Sequence, residues 1–127
     1  LEAMKAYATY MPSVNQVEFN PWLQRPELKR ATEAAGAKVM AYSPLARGHK
    51  VNDKALEKIA IELDCTPAQV AIKFCYDEGC ITIPKSSNPK RIVENIASLQ
   101  VDISSHYEEI KALECNYVSG WDPTTEP

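Results

Sequence analysis

The chain has 127 residues, 45% of them apolar and 24% charged, with a formal net charge of -3. These values suit one globular domain and point away from collagen, disordered and membrane classes, since no apolar run approaches the roughly 20 residues of a membrane span. The mild acidity also argues against nucleic acid as the main partner, because phosphate binding needs clustered excess Lys and Arg.

In chain order, LEAMKAYATY sets Leu1, Met4 and Ala8 at helical spacing and reads as the end of a helix that Pro12 stops. With Glu2 and Lys5 among its apolar positions it lacks a secretory signal's layout, and the start on Leu fits a piece of something longer. SVNQVEF reads as a first strand with Val14 and Val17 inside, and PELKRATEAAG as a helix opened by Pro26 and closed by Gly36. AKVMAYSPL is predicted as a second strand, buried on both sides by its composition.

Two helices follow. Asn52 or Asp53 caps one through Leu63, with Leu56, Ile59, Ala60 and Leu63 on one face. Thr66-Pro67 starts the other, which Gly79 ends. CITIP is the third strand and NPKRIVENIASL the next helix, with Asn88 as N-cap and Pro89 at the first helical position. Ser104 or Ser105 caps a last helix through Leu113, before the irregular tail NYVSGWDPTTEP. Strands separated by 10 to 20 residues of helix, with no hairpin link between them, predict an α/β protein with a parallel sheet. Three such strands alone would leave both sheet edges unpaired, so something should cover them: a larger sheet, or another copy of the chain.

Cys65, Cys75, Cys80 and Cys115 show no CxxC spacing, and only His49 and His106 could join them. We therefore expect no metal site, and read the cysteines as reduced thiols of a cytoplasmic protein.

The strands end in polar residues: Asn15, Gln16 and Glu18 in the first, Tyr42 and Ser43 in the second, Lys85 and Ser86 in the third. In parallel β/α proteins these C-terminal ends form the ligand face. Ordinary roles exist for each residue alone: Gln16 could bond a buried carbonyl, and Tyr42 could be core with its hydroxyl at the rim. The stretch ITIPKSSNPKRIVEN concentrates more. Lys85, the Ser86 and Ser87 hydroxyls and a helix N-terminus would point at one spot, where the helix dipole adds positive charge. Arg91, Glu94 and Asn95 share one helix face, opposite Ile92, Ile96 and Leu99. Spacing alone leaves two readings open: a solvated face with weak contacts from Arg91, or a phosphate between Lys85 and Arg91 with a purine against Glu94 and Asn95.

SVNQVEFNPWL, VMAYSPLARG, TPAQVAIKF and ITIPKSSNPKRIVEN, in this order and spacing, resemble consecutive signatures of the aldo-keto reductase family. The resemblance implies a (β/α)8 TIM barrel that uses NADPH to reduce aldehydes and ketones, with residues 1–127 matching its C-terminal part, strands six to eight. It implies that Gln16 bonds the nicotinamide carboxamide and that Tyr42 stacks on the nicotinamide ring. By the same resemblance, Ser43 and Leu45 would begin the pyrophosphate loop. It further implies that Lys85, Ser86 and Arg91 clamp the adenosine 2′-phosphate, with Ser87 and Asn88 the loop between them, and that Glu94 and Asn95 meet adenine. Two cations on one phosphate imply a preference for NADPH over NADH. The tail, 114–127, corresponds to the wall of the substrate pocket, with Trp121 as its candidate contact. Trp22 is better read as packing on a neighbouring loop. ARGHKVNDK is short, which implies a reduced flap over the cofactor.

The family's catalytic Asp, Tyr, Lys and His come from the first half of the barrel, so the resemblance assigns no catalytic residue here: Tyr42 is not the proton donor, nor Lys85 its activating Lys. The Ser-Asn pair that also holds the carboxamide precedes the matched region. The expected partners are a small carbonyl substrate and an N-terminal half-barrel or another copy of the chain. The alternative is a non-catalytic dinucleotide-binding or assembly module that completes its sheet with another chain.

Overall fold

Helix caps organise the chain. In the computed structural model, which describes residues 1–123 and Thr125, the Asp53 carboxylate accepts the Ala55 and Leu56 amides and starts α2 (Lys54–Glu62). Thr66 and Gln69 form a reciprocal capping box on α3 (Pro67–Asp77). The Asn88 side chain accepts the Lys90 amide and starts α4 (Pro89–Ala97). Stops are as definite. Gly36 ends α1 (Pro26–Ala34) at φ +81°, with its own amide on the Glu33 carbonyl and the Ala37 amide on that of Thr32. Gly79 ends α3 in the same way.

Between the helices run β1 (Val14–Glu18), β2 (Lys38–Tyr42) and β3 (Ile81–Thr82), in the order β1-β2-β3 and all parallel. Gln16 lies opposite Met40, Glu18 opposite Tyr42, and Met40 opposite Ile81. The helices cover one sheet face. Val39 and Ala41 are buried there with Phe19, Leu56, Ile59, Val70, Phe74 and Cys75, and Val17 packs against them. No helix among the described residues is long and apolar enough to cross a membrane.

Several expectations need correction, mostly for one reason. β2 is buried on one side only, because Lys38, Met40 and Tyr42 look out from a face that no layer covers. Val14 shares that face and is exposed. CITIP is a strand for two residues, continued by the Ile83 amide on the Ala41 carbonyl. Apolar residues on α4 and just after it are bare: Ile92, Val93, Ile96 and Leu99 are exposed, while Glu94 and Asn95 turn inward. The first residues make only a 3-10 turn, Glu2–Ala6, with none of them buried. Neither Ser104 nor Ser105 caps the last helix, α5 (Tyr107–Lys111). In the 3-10 turn that precedes α5, Ser104–His106, the Asp102 carboxylate accepts the Ser104 amide, and that bond holds its pKa below the ordinary value.

Candidate functional site

The C-terminal ends of β1 and β2 are locked together by one side chain. Asn20 is fully buried; its Oδ1 accepts the Trp22 amide at 3.1 Å and its Nδ2 donates to the Ser43 carbonyl at 3.3 Å. Ser43 has φ +48°, followed by Ala46 at +45°, Arg47 at +55° and Gly48 at +85°. Three of these four are not glycine, so the surroundings must hold the segment in a disfavoured conformation. The result is a tight, irregular turn over the strand ends.

That turn faces the start of α4 across two adjoining cavities. One, of about 480 Å³, lies between Leu45, Gly48 and Val51, the start of α3 (Thr66, Pro67, Ala68), and Lys85, Ser86, Arg91, Glu94 and Asn95. The other, of about 400 Å³, shares Leu45, Gly48, Val51, Lys85 and Arg91 with the first, and adds Ser43 and Arg47. Lys85, Arg91 and Arg47 line the second together, and no side-chain hydrogen bond or ion pair joins any of them to another described residue. Three uncompensated cations around a concave surface favour an anion. Arg91 makes no ion pair with Glu94, so the weak helix-face contact open from the spacing is not formed.

Most of the predicted site residues converge here. Ser43, Leu45, Lys85, Ser86, Arg91, Glu94 and Asn95 all line one or both cavities. Ser87 and Asn88 line neither. Asn88 turns back to cap α4, its amide bonds Ser86 Oγ at 3.1 Å, and Ser87 is exposed. Gln16 and Tyr42 sit apart on the bare sheet face, with Gln16 Nε2 3.3 Å from Met40 Sδ. Trp121 is exposed at the edge of the tail. Trp22 is buried, with its indole N–H on Asp53 at 3.0 Å. Tail residues 124, 126 and 127 lie outside the described part.

Three contributors went unread in the sequence. Thr66 was legible as a helix cap, yet its hydroxyl also donates to Glu94 Oε1 at 2.6 Å and fixes that carboxylate at the cavity wall. Arg47 stood inside the quoted VMAYSPLARG without a role. Glu18 was noted only as a polar strand end. It is buried, and accepts the Ser119 amide at 3.1 Å and the Ser119 hydroxyl, so that the tail returns over β1.

No cluster of three or more His, Cys, Asp or Glu is placed to hold a metal among the described residues. The thiols differ sharply in environment. Burial pushes Cys80 up to about 11 and Cys75 well above its ordinary value, while Cys115 is exposed. Since the thiolate is the reactive form, brief iodoacetamide treatment at pH 8 should label Cys115 first and Cys75 last. Peptide mass spectrometry gives the order, and early labelling of Cys75 would contradict the packing of α3.

Residues 1–114 match the model of the Aldo/keto reductase family. The chain is 38% identical to aldose reductase B of Dictyostelium discoideum over 113 residues, covering 87% of this chain and 36% of that protein. It is 35% identical to glyoxal reductase of Bacillus subtilis over 114 residues, covering 89% of this chain and 41% of that protein. Among solved structures, a variant of Gox0644 in complex with NADPH is similar with a TM-score of 0.88 at 32% identity, over 99% of this chain and 47% of that one. An aldo-keto reductase from a Medee basin deep-sea metagenome library has a TM-score of 0.84 at 28% identity, over 92% of this chain and 45% of that one. The chain thus spans less than half the length of each of these relatives, whose fold is a (β/α)8 barrel.

Proposed function

The chain belongs to the aldo/keto reductase family, and on that premise we propose that it is the cofactor-gripping C-terminal part of a barrel that reduces aldehydes and ketones with NADPH. One observation carries the proposal: Lys85 and Arg91, both unpaired among the described residues, flank the two joined cavities between the Ser43–Gly48 turn and the start of α4. The NADPH-bound relative and the carbonyl reductases among the matches support it.

The groove fits the dinucleotide part by part. Lys85 and Arg91 hold the adenosine 2′-phosphate, Arg91 through a planar fork and Lys85 as a point charge. Ser86 lies beside them. Glu94, set by Thr66, and Asn95 face the adenine from the wall of the larger cavity. The turn from Ser43 through Leu45 follows the pyrophosphate, with Arg47 adding charge. Tyr42 offers its ring, and Gln16 its amide, to the nicotinamide on the bare sheet face. Ser87 and Asn88 shape the loop and helix start. NADPH, when bound, supplies the hydride for the carbonyl carbon.

No residue of this chain is assigned the proton transfer. The bare face of Gln16, Met40 and Tyr42 would be covered by the rest of the barrel, and the tail 114–127 would wall the substrate pocket with Trp121. That face favours a remaining half-barrel over a free-standing binding module. Four unpaired thiols suit a reducing compartment, the cytoplasm.

The test is a fluorescence titration of the 127-residue chain with both dinucleotides. NADPH should bind at least about tenfold more tightly than NADH, since charge-assisted bonds to the extra phosphate are worth roughly 1.5–3 kcal/mol. Equal affinities would mean that the clamp is misassigned. The same sample should not oxidise NADPH with a simple aldehyde. Turnover free of contaminants would place catalytic residues in this chain after all.

A further inference from the structure

We propose that Tyr117 is a positioning residue for dinucleotide binding: through His49 and Lys50 it holds the strained turn that carries Arg47, making the tail part of the cofactor site. The inference rests on the cofactor reading above and adds a residue on the opposite side of the groove.

The turn is anchored at its start by Asn20 on the Ser43 carbonyl and by the buried Ala46, but its later part is open. Arg47, Gly48 and His49 are exposed, and three bonds link the segment internally: the Ala46 amide to Ser43 at 2.9 Å, Gly48 to Leu45 at 2.8 Å and His49 to Ala46 at 3.0 Å. Yet Ala46 and Arg47 keep left-handed backbones that side-chain-bearing residues avoid. Tyr117 supplies an outside restraint. Its hydroxyl lies 3.0 Å from His49 Nδ1, the two rings meet edge-on, and Lys50 Nζ sits 4.6 Å from its ring centroid. Three residues on, Gly120 lies against the Arg47 guanidinium so closely that a Cβ would be 3.0 Å from Nη1.

The tail is anchored well enough to act as a brace. The Tyr117 amide donates to the Trp22 carbonyl at 3.0 Å and the Cys115 amide to the same oxygen at 3.2 Å. Ser119 is tied to the buried Glu18 carboxylate. One anchor is the last residue of β1 and the other lies in the loop just after it, so Tyr117 links that region to the turn after β2. Releasing it would free Arg47 from the wall of the 400 Å³ cavity, while the 480 Å³ cavity would loosen only on its Leu45, Gly48 and Val51 side and keep its walls from α3 and α4.

That asymmetry gives the test. In Tyr117→Ala the affinity for NADPH should fall about tenfold, as expected for one hydrogen bond plus one cation–π contact, while adenosine 2′-phosphate, held mainly from α3 and α4, should lose less than about threefold. Tyr117→Phe, which keeps the ring under Lys50, should fall in between. A parallel loss for both ligands would make Tyr117 a general structural residue and overturn the inference, as would no loss for NADPH. Failure of the unaltered chain to bind either ligand would instead defeat the cofactor reading. Amide exchange would then decide the brace by itself. Tyr117→Ala should speed exchange at Ala46, Gly48 and His49 without changing α3, and unchanged rates there would overturn it.

Discussion

Replacing Arg91 by Ala should raise the NADPH dissociation constant about 10- to 100-fold, corresponding to roughly 1.5–3 kcal/mol for hydrogen bonds to a charged group, and leave NADH within about twofold. The side chain is exposed and joined to no other described residue by a hydrogen bond or ion pair, so its loss should change stability by less than about 0.5 kcal/mol. Affinity and fold are therefore separable. Lys85→Ala should behave in the same direction with a smaller effect, because an ammonium contributes charge without a fixed fork. Arg91→Lys should recover only part of the loss for the same reason. Added salt should narrow the gap between the two dinucleotides, since the site is open to solvent. Titration of all three variants with both dinucleotides checks this. Equal weakening of NADH would show that Arg91 acts on a part of the dinucleotide common to both.

How much of this could be read from the residues depends on the range of the interaction. Caps and stops were legible because their partners lie within a few positions: Asp53, Thr66, Asn88, Gly36 and Gly79 each act on the neighbouring turn. The convergence of Lys85, Ser86 and Arg91 was legible too, since a strand end and the helix after it cannot be far apart. Long-range partners were not. Glu18 meets Ser119 across 101 residues, Asn20 meets Ser43 across 23, and Thr66 meets Glu94 across 28. No local pattern announces such pairs, and each residue had an adequate local explanation. Ser87 and Asn88 line neither cavity for a related reason: a helix start uses its own polar groups first, and Asn88 caps α4 as its sequence position predicts.

Burial was misjudged in one consistent direction. Composition marked β2 as interior on both sides, yet Met40 and Tyr42 are only partly covered by this chain, and the apolar residues Ile92, Val93, Ile96 and Leu99 are left more exposed still. Ile81 and Ile83 of the third strand belong with them. A sequence pattern reports what a surface needs, not what the same chain provides. Under the half-barrel proposal these residues face the remaining strands and helices, and the mismatch follows directly.

The second large effect expected is on stability. Phe74→Ala should destabilise the fold by about 3–5 kcal/mol, the usual range for emptying a well-packed aromatic site. Phe74 is fully buried, stacked on Phe19 at 6.3 Å and tilted against Tyr107 at 5.7 Å. It therefore joins the end of β1 to α3 and the last helix, and the cavity it leaves can collapse only by moving one of them. Urea unfolding should show a lower midpoint with an unchanged slope, because the loss is one of packing and not of exposed area. The loss should also reach the site. The first turn of α3 carries Thr66, Pro67 and Ala68 at the wall of the 480 Å³ cavity proposed for adenosine, so a loosened α3 should weaken NADPH as well. Binding and folding are then coupled through one helix. NADPH at about 100 times its dissociation constant should return roughly 2.7 kcal/mol to either protein, with the variant needing more ligand to reach that point. A Phe74→Ala chain as stable as its parent would mean that α3 is not packed on β1 as described. One that lost stability but bound NADPH with unaltered affinity would separate the core from the groove and leave α4 and the Ser43–Gly48 turn as the cofactor's principal support.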